Sequence, residues 1–356
     1  MISEFLETKL IEAVYYFQGL SPQGYLKLAC SSILGGLGLY FGKKFFNGGV
    51  VRGELLANKS SLKGKTIIVT GASPYGIGYE TSKVLHSLGA TVILGVRSEK
   101  NGNESKKMIT EENGGGADRL IVMLMDLTDL ASIKKFTEEF KSKFTTLDIL
   151  INNAGIMMCP HATTRQNVEI QFGTNHLGHF LLTYLLLDMI KQSNGRVVNL
   201  SSLAASGIKK ESDLEGFCSF KPDVVIGDGS KLANPYELYY RSKFSNLLFT
   251  KRLARELANG SEATSYACHP GIVRSLLGRS FTLGGIIFPA MWYFTKSALQ
   301  GAQTTLHTAL EDKSKLKSGS YYADCATKLG NKFEDNVSLQ DTLWQTSLDL
   351  CKDYLN

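Results

Sequence analysis

Three places in this chain set a tyrosine four residues before a lysine: Tyr40 with Lys44, Tyr79 with Lys83, and Tyr239 with Lys243. On a helix that spacing puts a phenol and an ammonium one turn apart on the same face. An ammonium near a phenol favours the phenolate and lowers a pKa that starts near ~10. A proton donor or acceptor usable near neutral pH is the chemical consequence. Most such pairs are helix surface, so the surrounding elements must decide which pair, if any, reacts.

The first positioning element is KTIIVTGASPYGIG, residues 65–78, followed by the amphipathic YETSKVLHSLG. A β-branched run, a glycine-rich turn and a helix open a dinucleotide-binding unit. Gly71 permits the tight turn, Gly76 lets backbone approach a pyrophosphate, and Gly78 lets the helix pack on the strand. The anion sits on the N-terminus that Ile77 begins, where free N–H groups favour negative charge. Such turns also join strands to helices without any ligand. The second strand, Thr91 to Val96, ends in Arg97. An acid there would bind the ribose 2′-hydroxyl of NAD, whereas an arginine pairs with the 2′-phosphate of NADP or is an ordinary surface residue. The reading leans to NADP(H).

A third strand is expected over Leu120 to Asp126, ending before Leu127, and a fourth over Leu147 to Asn152, running into NNAG. The fifth is RVVNLSS and the sixth Thr264 to Cys268, with helices such as Ala131 to Phe144 between strands. Alternating β and α units of this length predict an α/β chain with a doubly wound parallel sheet, a Rossmann fold, in a single domain. Ligands in such sheets bind at the C-terminal strand ends.

With NNAGIMMCP (152–160), NHLGHFLLT (175–183), VVNLSSLA (197–204), YYRSKFSN (239–246) and HPGIVRS (269–275) all in order, the chain resembles the short-chain dehydrogenase/reductase family, and within it the microsomal retinol dehydrogenases. GAQTTLHTAL (301–310) and SGSYYADC (318–325) resemble the C-terminal half of that group, and the likeness spans about residues 62–354. The resemblance implies catalytic roles for Asn175, Ser202, Tyr239 and Lys243. It sets Asp126 and Leu127 beside the adenine, Asn153, Ala154 and Gly155 at the middle of the cofactor, and Pro270, Gly271 and Val273 at the nicotinamide end. Hydride chemistry belongs to the cofactor. Tyr239 then supplies the proton, Ser202 stabilises the developing charge, Lys243 lowers the tyrosine pKa and binds ribose, and Asn175 holds a water.

Two features depart from the family pattern. Ala72, Ser73, Pro74 and Tyr75 make four residues between the first two glycines instead of three, so either Ser73 or Tyr75 touches phosphate. The stretch from Ser202 to Tyr239 is also long, with turn formers through KPDVVIGDGSKLANP, and either covers the substrate or binds another protein.

Outside this domain, residues 1–61 read as a helical leader. The uncharged run 28–42, flanked by Lys27, Lys43 and Lys44, spans roughly 22 Å and suits a short membrane anchor at about 26–43 or a buried or interfacial helix. The lysines and arginine after it put the domain, residues 62–356, in the cytosol, with the endoplasmic reticulum the expected membrane. FTLGGIIFPAMWYF, 281–294, suits either an apolar lid over a lipophilic substrate such as a retinoid or fatty aldehyde, or a core helix.

Composition narrows the alternatives. A net charge of +6 without a basic stripe gives no nucleic-acid signature. Six scattered cysteines, with no CxxC pair, read as reduced thiols and imply no metal. His176 and His179 read as helix packing. A homodimer stays open. The competing function is a non-catalytic nucleotide-binding subunit of a membrane-associated complex.

Overall fold

The structure, a computed structural model, describes residues 43, 48–51, 53–58, 61–216, 218–274 and 295–355. The Tyr40–Lys44 pair, the apolar run 28–42 and the stretch 281–294 lie outside these residues, apart from what their flanks show. Residues 48–356 make one compact unit. That unit already takes in Val51, which is buried and donates its N–H to Gln303 Oε1 at 3.0 Å.

In chain order the elements are β1 (Thr66–Thr70), α1 (Ile77–Ser87), β2 (Thr91–Val96), α2 (Glu99–Glu112), β3 (Leu120–Leu124), α3 (Leu130–Lys143), β4 (Ile149–Asn152), α4 (Gly178–Leu185) and β5 (Arg196–Leu200). The second half adds α5 (Pro235–Leu257), β6 (Thr264–His269), α6 (Ala298–Leu310), the hairpin β7 (Tyr321–Ala323) and β8 (Ala326–Lys328), and α7 (Val337–Cys351). They build one eight-stranded sheet in the order β3-β2-β1-β4-β5-β6-β7-β8. Every pairing is parallel except β7 with β8.

Strand side chains alternate between two apolar layers, as a pleat requires. Ile68, Ile93, Leu150 and Val197 enter one core with residues of α3, α4, α5 and α7. Ile67, Val69, Val92, Leu94, Ile149, Ile151 and Val198 enter the other with residues of α1 and α6. Complete burial of such a side chain contributes roughly 1.5–3 kcal/mol. The expected doubly wound sheet is therefore the observed one.

The strand ends differ from the sequence expectation for identifiable reasons. β3 stops at Leu124 because the Asp126 N–H donates to Ser132 Oγ, while its carboxylate accepts from Thr128 N and Oγ1. β4 starts at Ile149 because Leu147 N–H goes to Ser193 Oγ. The β7–β8 hairpin was not anticipated; it turns through Asp324 and Cys325, both at positive φ.

Candidate active site

Thr70 closes β1, and Gly71 follows at φ 69°. The added residue of the glycine turn is taken up by a left-handed bulge: Tyr75 has φ 63° and is 66% exposed, while Ser73 is half-buried and its carbonyl accepts from Gly76 N–H. A positive φ costs a non-glycine residue conformational energy, so the bulge must be held by its neighbours. Pro74 beside it is buried. Helix α1 then starts at Ile77 without a side-chain cap on Gly76. The starts of α2, α3, α5, α6 and α7 are capped by Ser98, Asp129, Asn234, Ser297 and Asn336. An uncapped helix start behind a glycine turn suits a phosphate. Gly78 is required by close packing, since a Cβ there would come within 2.5 Å of Asn153 Nδ2 and 2.6 Å of Gly71 O.

The NNAG segment is tied to the same turn. Asn153 N–H and Ala154 N–H both donate to Thr70 Oγ1 at 2.9 Å, and Asn153 Nδ2 donates to Thr70 O at 2.7 Å. Arg97 is exposed at the end of β2, and Asp126 lies half-buried just past β3. Pro270, Gly271 and Val273 continue from β6, with Val273 bridged to Lys296 in parallel register. These residues share the C-terminal edge of the sheet and fit a dinucleotide laid across it.

The four residues assigned to catalysis come from three places: Asn175 from the turn before α4, Ser202 from the end of β5, and Tyr239 with Lys243 from α5. Asn175 lies in a π-helical turn, Gly173–Leu177, that leads directly into α4. Such turns are often associated with functional sites. Its side chain is held at three points: Oδ1 accepts from Ile156 N, and Nδ2 donates to Ile156 O and to Ser242 Oγ. Both amide protons are used, and the main-chain carbonyl of Asn175 remains as an acceptor able to hold a water.

Ser202 follows β5 and accepts Ala204 N–H at 3.1 Å. Lys243 is buried on α5, donates to Leu200 O at 3.0 Å, and has its Nζ 5.9 Å from the Tyr239 ring centre. Gly155 abuts both Asn175 and Lys243: a Cβ built there would lie 3.1 Å from Asn175 Oδ1 and 3.5 Å from Lys243 Nζ. Asn175, Lys243 and the NNAG turn thus meet at one point.

The electrostatics reverse the sequence expectation for Tyr239. Burial pushes its phenol up to about 12, and a hydrogen bond with Ser202 opposes this only in part. Burial also brings Lys243 down to about 8. Desolvation of the charged form is the largest cause of both shifts. Tyr239 is consequently a protonated phenol at neutral pH.

The other described pair, Tyr79 and Lys83, is structural. Tyr79 donates to Glu112, and Lys83 pairs with Glu80 and Glu112, which joins α1 to α2. Sequence reasoning missed Thr70, which receives the NNAG amides, and gave His269 no role of its own. His269 Nδ1 accepts Leu203 N–H at 3.2 Å and so fixes the loop after Ser202 to β6. Neither residue has a spacing that marks it.

The long segment before α5 folds back as short helical turns, Glu211–Glu215 and Pro222–Val225. Cys218, Phe220 and Val225 are buried, Ile226 bridges Val168, and Glu169 N–H donates to Val225 O. Three large apolar side chains remain exposed after the site strands: Leu203 at 60%, Ile272 at 57% and Leu329 at 69%. A cleft of about 440 Å³ lies between residues 206–209 and 329–332. Among the described residues no helix is long and apolar enough to cross a membrane.

A family model described as short chain dehydrogenase matches residues 65–212. Retinol dehydrogenase 12 of Mus musculus is 39% identical over 310 residues, covering 86% of this chain and 91% of that protein. A solved structure described as an uncharacterized protein from Mycobacterium Paratuberculosis is 30% identical, with a TM-score of 0.63 over 83% of this chain and 97% of the other. A Shigella flexneri short chain dehydrogenase complexed with NADP, 22% identical, matches in fold with a TM-score of 0.56, covering 75% of this chain and 100% of that one.

Proposed function

We propose, for a chain that belongs to the short-chain dehydrogenase family, that it is an NADP(H)-dependent oxidoreductase interconverting a lipophilic carbonyl and its alcohol, with Tyr239 as proton donor. The observation that carries the reading is a buried Tyr239 beside Ser202, with Lys243 Nζ 5.9 Å from its ring centre. When bound, the nicotinamide supplies or accepts the hydride. Its pyrophosphate is assigned to the uncapped start of α1, and its 2′-phosphate to Arg97.

The remaining work falls to side chains of this protein. Tyr239 gives its proton to the oxygen of a carbonyl that is becoming an alkoxide. Ser202 hydrogen-bonds that oxygen and stabilises its charge. Lys243 replenishes the proton through polar atoms at the edge, where the Asn175 backbone is held. A phenol raised to about 12 is protonated at neutral pH, the form a proton donor requires.

The substrate assignment rests on the exposed Leu203, Ile272 and Leu329 and on the name of the retinol dehydrogenase relative. A retinoid or fatty aldehyde has matching apolar surface. The run 28–42 supports attachment to the endoplasmic reticulum membrane with the domain facing the cytosol.

The test follows NADPH oxidation by the full chain in its membrane fraction, offered retinal, decanal and a steroid ketone. Consumption with at least one, and preference for NADPH over NADH, is expected. No consumption with any, together with stable co-purification in a larger complex, would refute the reading and favour a non-catalytic subunit.

A further inference from the structure

His179, one helical turn beyond Asn175, is buried, and both of its ring nitrogens are committed. Nδ1 lies 3.0 Å from the Asn175 carbonyl oxygen, and Nε2 lies 2.9 Å from Thr70 Oγ1. A carbonyl oxygen only accepts, so Nδ1 carries the proton and Nε2 must accept. Thr70 Oγ1 fits that assignment from the other side. Its two lone pairs receive the Asn153 and Ala154 amides, which leaves its single proton to donate. Nε2 takes it at 2.9 Å, while the alternative acceptor, Ile151 O, is at 3.5 Å. Burial holds the imidazole down at about 4, and Lys243 adds to the effect, so the ring is neutral at physiological pH.

The geometry points to His179 as a positioning residue. Through one imidazole it couples the end of β1 and the NNAG turn to the main chain of Asn175. The inference rests on the reading above for the role of Asn175 and goes beyond it, because it assigns a neighbour that the four catalytic positions do not include. Asn175 has both amide protons and one Oδ1 lone pair engaged by Ile156 and Ser242, which holds its side chain in place and leaves its main-chain carbonyl as the group His179 orients. That backbone lies in a π-helical turn, where the regular α-helical ladder is interrupted. A side-chain donor to the Asn175 carbonyl fixes its direction, and a donor anchored on Thr70 fixes it relative to the glycine turn. The same residue also holds Thr183, whose hydroxyl donates to His179 O at 2.7 Å. Cofactor loop and proton-handling backbone are thereby one rigid assembly, and an error there is felt as a misplaced reacting group.

The test compares His179→Phe, which keeps volume and loses both bonds, with His179→Asn, whose amide N–H can replace the Nδ1 donor. Thr70→Ser, which keeps the hydroxyl, and Thr70→Val, which loses it, form the second pair. Turnover is measured beside NADPH affinity from fluorescence and melting temperature. For His179→Phe, kcat is expected to fall by about 10- to 100-fold, with NADPH affinity changed by less than about threefold. His179→Asn should recover at least about tenfold of that loss, and Thr70→Ser should outperform Thr70→Val by a similar margin. A kcat within about twofold of the parent in folded His179→Phe, or losses that track melting temperature without recovery by His179→Asn, would overturn the inference. Nitrogen-15 spectra of the His179 ring give a readout free of turnover, with the neutral Nδ1–H tautomer expected from about pH 6 to 8. If the parent reduces no carbonyl, the proposed function falls while the spectra still decide the linkage. A protonated ring or an Nε2–H tautomer sinks it.

Discussion

Arg241 offers the sharpest test of how helix α5 is held. It lies two residues after Tyr239 and two before Lys243, roughly 200° around the helix from each, so it points away from the face those two share. Its Nη2 meets Glu169 Oε2 at 3.0 Å with both side chains essentially unexposed, at 0% and 1%. Nη1 donates to Val224 O at 3.0 Å, which ties the long segment before α5 to the helix. Glu169 also accepts the amides of Gln171 and Phe172 at 2.8 Å each. Replacing Arg241 by Met leaves a buried carboxylate with two amides and no counter-charge. Breaking a buried pair in this way costs about 3–5 kcal/mol, whereas replacing both charged partners costs far less. With a urea dependence of about 3 kcal/mol per molar, Arg241→Met should lower the unfolding midpoint by about 1–1.7 M. Glu169→Gln combined with Arg241→Met should regain at least about half of that shift. The assay is urea unfolding of the parent, both single variants and the double variant. A loss below about 1 kcal/mol in Arg241→Met, or simple additivity in the double variant, would refute the reasoning.

Other outcomes follow from the site and its surroundings. Tyr239→Phe should cut turnover by about 10²–10⁴ while leaving NADPH binding intact, and near-normal turnover would remove Tyr239 from the mechanism. Arg97→Glu should shift the NADPH-to-NADH preference by about 10- to 100-fold, the worth of a charge-assisted bond to a phosphate; an unchanged ratio means Arg97 does not touch the cofactor. Burial holds His176 near 3 and His179 and His269 near 4, all below the ~6.5 of an unfolded histidine. The unfolded chain therefore binds protons first, so the stability present above about pH 6.5 declines as pH falls toward 4, by about 1.4 kcal/mol per unit for each ring. Urea midpoints between about pH 7.5 and 5.5 should show this decline, and His176→Phe should flatten it by one ring's share; an unchanged slope would count against the assignment.

Much of the architecture was legible in local patterns. Alternating β-branched runs, a glycine turn and amphipathic helices recur at spacings that specify a doubly wound sheet, because pleat, helix pitch and turn conformation are properties of neighbouring residues. The same local order singled out Asn175, Ser202, Tyr239 and Lys243 in sequence motifs. The β7–β8 hairpin was not legible, since its strands are three residues long and carry no lasting period. Nor was the use of the long segment before α5. Its Val224 carbonyl meets Arg241 only after the chain has folded back.

The sequence by itself determined the order of elements and which side chains the strand ends carry. Tertiary structure decided how those side chains behave. It raised the Tyr239 phenol where spacing alone predicted a lowered one, consumed the Asn175 amide on Ile156 and Ser242, and turned the Tyr79–Lys83 pair into a strut between α1 and α2. It also joined Thr70 to His179 across 109 residues of chain. Desolvation and long-range hydrogen bonds depend on what packs around a group from distant parts of the chain, and no local spacing encodes them.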